Sequence, residues 1–149
     1  MTDQIYQTLC AALEERKWPY AKEDDKRRVR CSVKGRDIPV EISVTVNDSR
    51  KLIEFISVLP CQIPMDKRIE AAIAVTVANY GLYDGSIIYS IDKGLLMYRM
   101  TCSYCDATVG TGLFQYMIDC GFAVVDRYND RFVGLAKGEI DVQQFIAME

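Results

Sequence analysis

Between Ile38 and Val46 the chain alternates: Ile38, Val40, Ile42, Val44 and Val46 are apolar, while Glu41, Ser43 and Thr45 are polar. This period of two predicts a strand with one buried and one wet face. A shorter version precedes it, where Val29, Cys31 and Val33 alternate with Arg28, Arg30, Ser32 and Lys34. After it comes KLIEFISVLP, apolar on both faces and expected to close at Pro60. The turns KGRD and NDSR join the three strands into an antiparallel meander.

Helical periods surround the meander. Ile5, Leu9, Ala12 and Leu13 predict a first helix between Thr2, a candidate N-cap, and Pro19. Pro64 suits the opening of a second helix, whose core-facing stripe is read as Ile69, Ala72, Ile73, Thr76, Val77 and Tyr80, with Gly81 as its stop. SIIYSI and LLMYRMTC flank Asp92, Lys93 and Gly94 and predict a hairpin, with Gly94 free to take a positive φ. A final helix, capped by Asp106 or Thr108, carries Val109, Leu113, Tyr116, Met117, Cys120, Val124, Tyr128, Phe132 and Leu135 at helical spacing and runs to about Gly138. Gly110, Gly112 and Gly121 each weaken it by about 1 kcal/mol, and Gly121 marks where it could break. DVQQFIAM adds a short last turn of helix.

The order is helix, three strands, helix, two strands, long helix: an α+β fold forming one domain over residues 1–149. A helix of about thirty residues is roughly 45 Å long, more than the width of such a domain. Its apolar stripe, or the hairpin before it, therefore invites a second copy of the chain. The expectation is a homodimer.

Composition narrows the chemistry. The 149 residues carry a net charge of −3, which gives no global attraction for nucleic acid or an anionic membrane. No apolar run reaches the roughly 20 residues of a membrane span, and the N-terminus MTDQIYQTLC has no signal-peptide pattern, so the expected location is the cytoplasm. Histidine is absent, which removes the usual general base, the Ser/His and Cys/His nucleophile pairs and most zinc sites. No cofactor and no enzymatic activity are expected.

Cys102 and Cys105 form a C-x-x-C pair where the hairpin gives way to the last helix. A reactive pair needs its thiolate stabilised by a helix N-terminus and cations, whereas here Asp106 is the neighbouring charge. Zinc would need two further ligands, for which Cys61 and Cys120 are the nearest spare thiols. The bland assignment puts Cys102 on the inward face with Leu96, Tyr98 and Met100. The basic run KRRVR reads as a solvated strand face, VGTG lacks phosphate-loop spacing, and Asp84, Asp92 and Asp106 read as turn or cap residues. Tyr89, Tyr98 and Tyr116 belong to a tyrosine-rich region around the hairpin that suits an interface equally with a core edge.

The stretch Asn79 to Arg99, NYGLYDGSIIYSIDKGLLMYR, resembles the bacterial YbjN family of sensory-transduction regulators through Asn79, Gly81, Gly94, Tyr98 and Arg99. That family is similar in fold to type III secretion chaperones, and the resemblance implies a non-enzymatic homodimer that is chaperone-like or regulatory and binds an extended segment of a client protein. Such a segment could add to a strand edge or cross an apolar sheet face, where Ile38, Val40 and Ile42 would matter if uncovered. The alternative is a thiol- or metal-based sensor using Cys102 and Cys105.

Overall fold

The computed structural model describes residues 2–149, with side chains from Gln4 onward, so the cap expected of Thr2 lies outside the described residues. The elements run α1 (Thr2–Glu15), β1 (Ala21–Glu23), β2 (Arg28–Val33), β3 (Val40–Asn47), β4 (Leu52–Gln62), α2 (Arg68–Tyr80), β5 (Ser86–Ser90), β6 (Leu95–Ser103), α3 (Thr111–Lys137) and α4 (Val142–Ala147). All six strands form one antiparallel sheet in the order β1-β2-β3-β4-β6-β5. The expected meander and hairpin are both present, joined through β4 and β6. The strand β1 was not expected, because three charged and small residues carry no alternation.

Cross-strand register fixes the two faces. Val44 stands opposite Val29 and Phe55, and Phe55 opposite Met100, while Tyr98 faces Ser57 and Ile87. These residues, with Ile42, Ile53, Leu59 and Leu96, are buried beneath the helices. Helix α1 packs on α3 and β3, α3 lies along β3, β4 and β6, α2 sits beside β5, and α4 closes over α2 and α3. Each side chain of Val, Leu, Ile or Phe size buried this way contributes roughly 1.5–3 kcal/mol. Val40 and Ile42 belong to this covered layer.

Four local expectations change. Pro60 does not end β4, which runs through it to Gln62 with a register shift against β6 between Val58 and Gln62. A bulge tolerates proline because its ladder bond is already missing. Helix α3 starts at Thr111 behind an extended Gly110; neither Asp106, at φ 53°, nor Thr108 caps it, and both lie with Val109 in the preceding loop. The helix passes unbroken through Gly121; Met117, Tyr128, Phe132 and Leu135 of the expected stripe are buried together with Phe114, Ile118 and Val125, whereas Tyr116 is exposed. Finally, α2 is rotated from its expected orientation: Ala71, Ala74, Val75 and Ala78 face inward, whereas Ile69, Ile73 and Tyr80 are exposed. Small alanines let the helix approach the sheet edge closely, which the bulkier stripe would prevent.

The edge strand β5 is closed by a side chain. The Ile87 N–H donates to Asn79 Oδ1 at 2.8 Å, and Asn79 Nδ2 donates to the Ile87 carbonyl at 3.0 Å, so the amide copies one rung of a neighbouring strand. An Asn79→Ala change removes both partners. Urea titration should show a loss of about 1–3 kcal/mol, and the Ile87 amide should exchange faster than its β6-bonded neighbours.

Gly121 lies against the fully buried Phe55 ring, which packs edge-on against Tyr98 at 5.8 Å between centroids. A Cβ at Gly121 would come within 2.5 Å of Phe55 Cε1. The Gly121→Ala variant is expected to lose about 1–3 kcal/mol by overcrowding despite its better helix propensity. The Gly112→Ala variant, where nothing lies within 4 Å, should instead gain up to about 1 kcal/mol. Equilibrium urea unfolding of the two variants checks the contrast.

Candidate functional site

With α1 and α3 on one face, α4 packed over α3 and α2 beside the β5 edge, the other face of the sheet is left uncovered. Its residues follow from register: Ile56 lies opposite Ser43 and Arg99, Val58 opposite Met97, Met97 opposite Ile88, and Leu95 opposite Ser90 and Gln62. The result is an apolar patch of Ile56, Val58, Ile88, Leu95 and Met97 across β4, β6 and β5. Val58 is 56% and Leu95 44% exposed; the other three are partly exposed. Towards β2 and β3 the same face becomes polar, with Thr45, Ser43, Glu41 and Arg30.

Arg99 is an exposed residue of this face, beside Ile56 on β4 and Ser86 on β5. Glu54 is one diagonal step away, opposite Thr101, and forms no ion pair with it. Among the described residues, Arg99 has no side-chain hydrogen-bond or ion-pair partner. The other arginines near the sheet are engaged: Arg28 Nε and Arg30 Nε both donate to Glu23 Oε2, at 2.6 and 3.2 Å. The charge run read from KRRVR is thus partly neutralised by β1.

A second uncovered surface is the outward side of α2. Met65 in the 3-10 turn before it is 79% exposed, Ile69 69%, Ile73 45% and Tyr80 95%. At spacings of four, four and seven residues they share one helical stripe.

The tyrosines separate by burial. Tyr98 is fully buried, and its hydroxyl donates to the Asp84 carbonyl at 2.5 Å, so it belongs to the core and not to a surface. Tyr89 is half-buried and donates to the Arg68 carbonyl at 2.8 Å, fastening β5 to α2. Tyr116 is 52% exposed, with its hydroxyl on Asp84 Oδ2 at 2.5 Å. Cys120 donates to the same oxygen at 3.5 Å. Burial pushes the Cys120 thiol upward, and its contact with Tyr116's partner Asp84 ties the loop before β5 onto α3.

Cys102 and Cys105 point to different surroundings. Cys102 is half-buried on the inner face opposite Ile53, with its thiol on the Ser103 carbonyl at 3.7 Å. Cys105 is exposed and lines a cleft of about 490 Å³ with Gln4, Ile5, Thr8, Lys51 and Tyr104. Among the described residues, no three His, Cys, Asp or Glu side chains gather where they could hold one metal ion. Elsewhere burial sends the Cys31 thiol up to about 11, as expected for a thiol used as an apolar core group.

The pattern missed most by sequence reading is the outer patch. Its signal was the same alternation that placed Phe55 and Tyr98 inside, because fixing those two sends Ile56, Val58, Met97 and Arg99 outward.

Among described residues, no helix is long and apolar enough to cross a membrane. No curated protein matches the sequence. Solved structures do match its fold. A chain of the HopA1–SchA chaperone–effector complex overlays with TM-score 0.54 at 11% identity, covering 83% of this chain and 90% of that one. A chain of the ExsC–ExsE complex gives TM-score 0.60 at 10% identity, covering 87% and 94%. YbjN from E. coli gives 0.59 at 11% identity, covering 85% and 92%. These likenesses show the α+β fold expected from the element order, and the secretion-chaperone-like form of it that the family resemblance implied. The model of the YbjN family, described as "Putative bacterial sensory transduction regulator", matches residues 6–133, and the chain belongs to that family.

Proposed function

We propose that this protein is a non-enzymatic, cytoplasmic binding protein, chaperone-like or regulatory, that works as a homodimer and holds an extended segment of a client protein. The observation that carries this reading is the pair of apolar surfaces the chain leaves uncovered, on the outer sheet face and on α2. The fold shared with a chaperone–effector complex supports it from a second direction. Catalysis finds no support in a chain without histidine whose half-buried Cys120 thiol is raised by burial.

The two surfaces suit different occupants. The side chains of the α2 stripe, Ile69, Ile73, Val77 and Tyr80, are uncharged, with Glu149 bordering it at Val77 and Tyr80, so a two-fold axis can bring the apolar part against itself. In this reading the second copy sits on α2, where an apolar stripe is exposed, in place of the last helix or the hairpin that the sequence suggested. The outer sheet face is left for a client, whose extended backbone can lie across the apolar patch.

Light scattering checks the dimer. A mass of twice the 16.9 kDa chain is expected, and Ile73→Asp should return it to the single-chain mass with an unchanged far-UV circular dichroism spectrum. Tyr116→Asp, on the surface of α3, should leave the dimer intact. A wild-type particle of single-chain mass at high concentration removes the homodimer from the account.

A further inference from the structure

We infer that the outer sheet face selects a client segment in which an acidic residue lies two and four positions, on the same side, from aliphatic residues. This rests on the client-binding reading above and specifies the chemistry of the occupant. The argument starts from Arg99. Its guanidinium is exposed, lacks an ion-pair partner among the described residues, and stands at the border of an otherwise apolar patch. An arginine so placed presents an unused fork of donors that matches a carboxylate in geometry and charge.

Spacing then sets the sequence that fits. Along β6, Arg99, Met97 and Leu95 point to the same outer face, each about 6.6–6.8 Å from the next. An extended segment lying along β6 has the same spacing between alternate side chains. One that places its carboxylate on Arg99 sets its next two same-face side chains over Met97 and Leu95, flanked by Val58 and Ile88. A basic residue at the first position would instead meet the guanidinium as a like charge, which disfavours the wrong partner as much as the pair favours the right one.

The neighbouring charges do not offset this selection. Arg28 and Arg30 are held by Glu23 at the far side of the sheet, and Glu54 faces Thr101 and Thr45. Glu54 stands one diagonal step from Arg99 on the Thr101 side, so an acid displaced towards Thr101 is repelled, and the aliphatic residues run the other way, over Met97 and Leu95.

Fluorescence anisotropy with labelled peptides tests the inference. The probes are Gly-Ser-Glu-Ser-Val-Ser-Leu-Ser-Gly, its counterpart with Lys in place of Glu, and both sequences reversed, titrated with protein up to about 1 mM. The better-binding direction of the Glu probe should bind about tenfold tighter than its Lys counterpart, and Arg99→Glu should invert that order. Val58→Asp, at an exposed position, should weaken both. Equal binding of Glu and Lys probes, abolished by Val58→Asp, would overturn the acidic selectivity while leaving the client surface in place. No binding of any probe would overturn both, and an unchanged Glu-probe affinity in Arg99→Glu would remove Arg99 from recognition.

Discussion

The architecture depends on one close contact, that of α3 with the sheet at Gly121 and Phe55. A helix can lie that near a large aromatic ring only where it has no Cβ, and the ring is in turn fixed edge-on by Tyr98. This contact lets α3 run flat along β4 and β6, bringing Phe114, Met117, Val125, Tyr128 and Phe132 into one buried layer. Helix α4 then seals the far end through Phe145, stacked on Tyr128 at 6.2 Å between centroids, with the Asp141 and Gln144 capping box setting its start. The helical cover of α1, α3 and α4 is thereby committed to one face, with α2 beside the β5 edge. The opposite face keeps its apolar patch in solvent, which is what a binding protein requires and what a closed two-layer core would avoid.

The two exposed surfaces arise for different reasons. On the sheet, alternation leaves every second residue outward, and β4 and β6 place aliphatic side chains there instead of the Ser, Thr and Glu found on β3. On α2, the helix is apolar around most of its circumference and can hide only one side. Strand addition at the β5 edge is hindered where Asn79 already occupies the backbone of Ile87. That directs a client toward the face of the sheet and away from this edge.

Much of the fold was legible in the chain. The alternation from Val40 to Val46 has a single interpretation, and the turn residues on either side give the order of the meander. Helix α2 was misread because hydrophobic size was taken as the sign of burial, whereas close approach to β5 favours Ala71, Ala74 and Ala78. The length of α3 argued for a second copy only while its own sheet was unmeasured. Eleven residues of β4 extend about 36 Å and the 27 residues of α3 about 40 Å, so the strand nearly matches the helix. Among the candidate site residues, Tyr98 could not be assigned from sequence because a tyrosine suits a core with one hydrogen bond as well as it suits an interface. Arg99 stood in view as part of a family pattern, but its isolation among apolar neighbours becomes evident only through the pairing of β4, β5 and β6.

The central claim is a sheet covered on one face and open on the other. Methyl-resolved nuclear magnetic resonance with a soluble paramagnetic agent measures this directly. The account predicts strong broadening of the Ile56, Val58, Ile88 and Leu95 methyl signals, with those of Val44, Ile53, Leu59 and Leu96 spared. Equal protection of the two sets would contradict it, because the outer face would then be covered in solution.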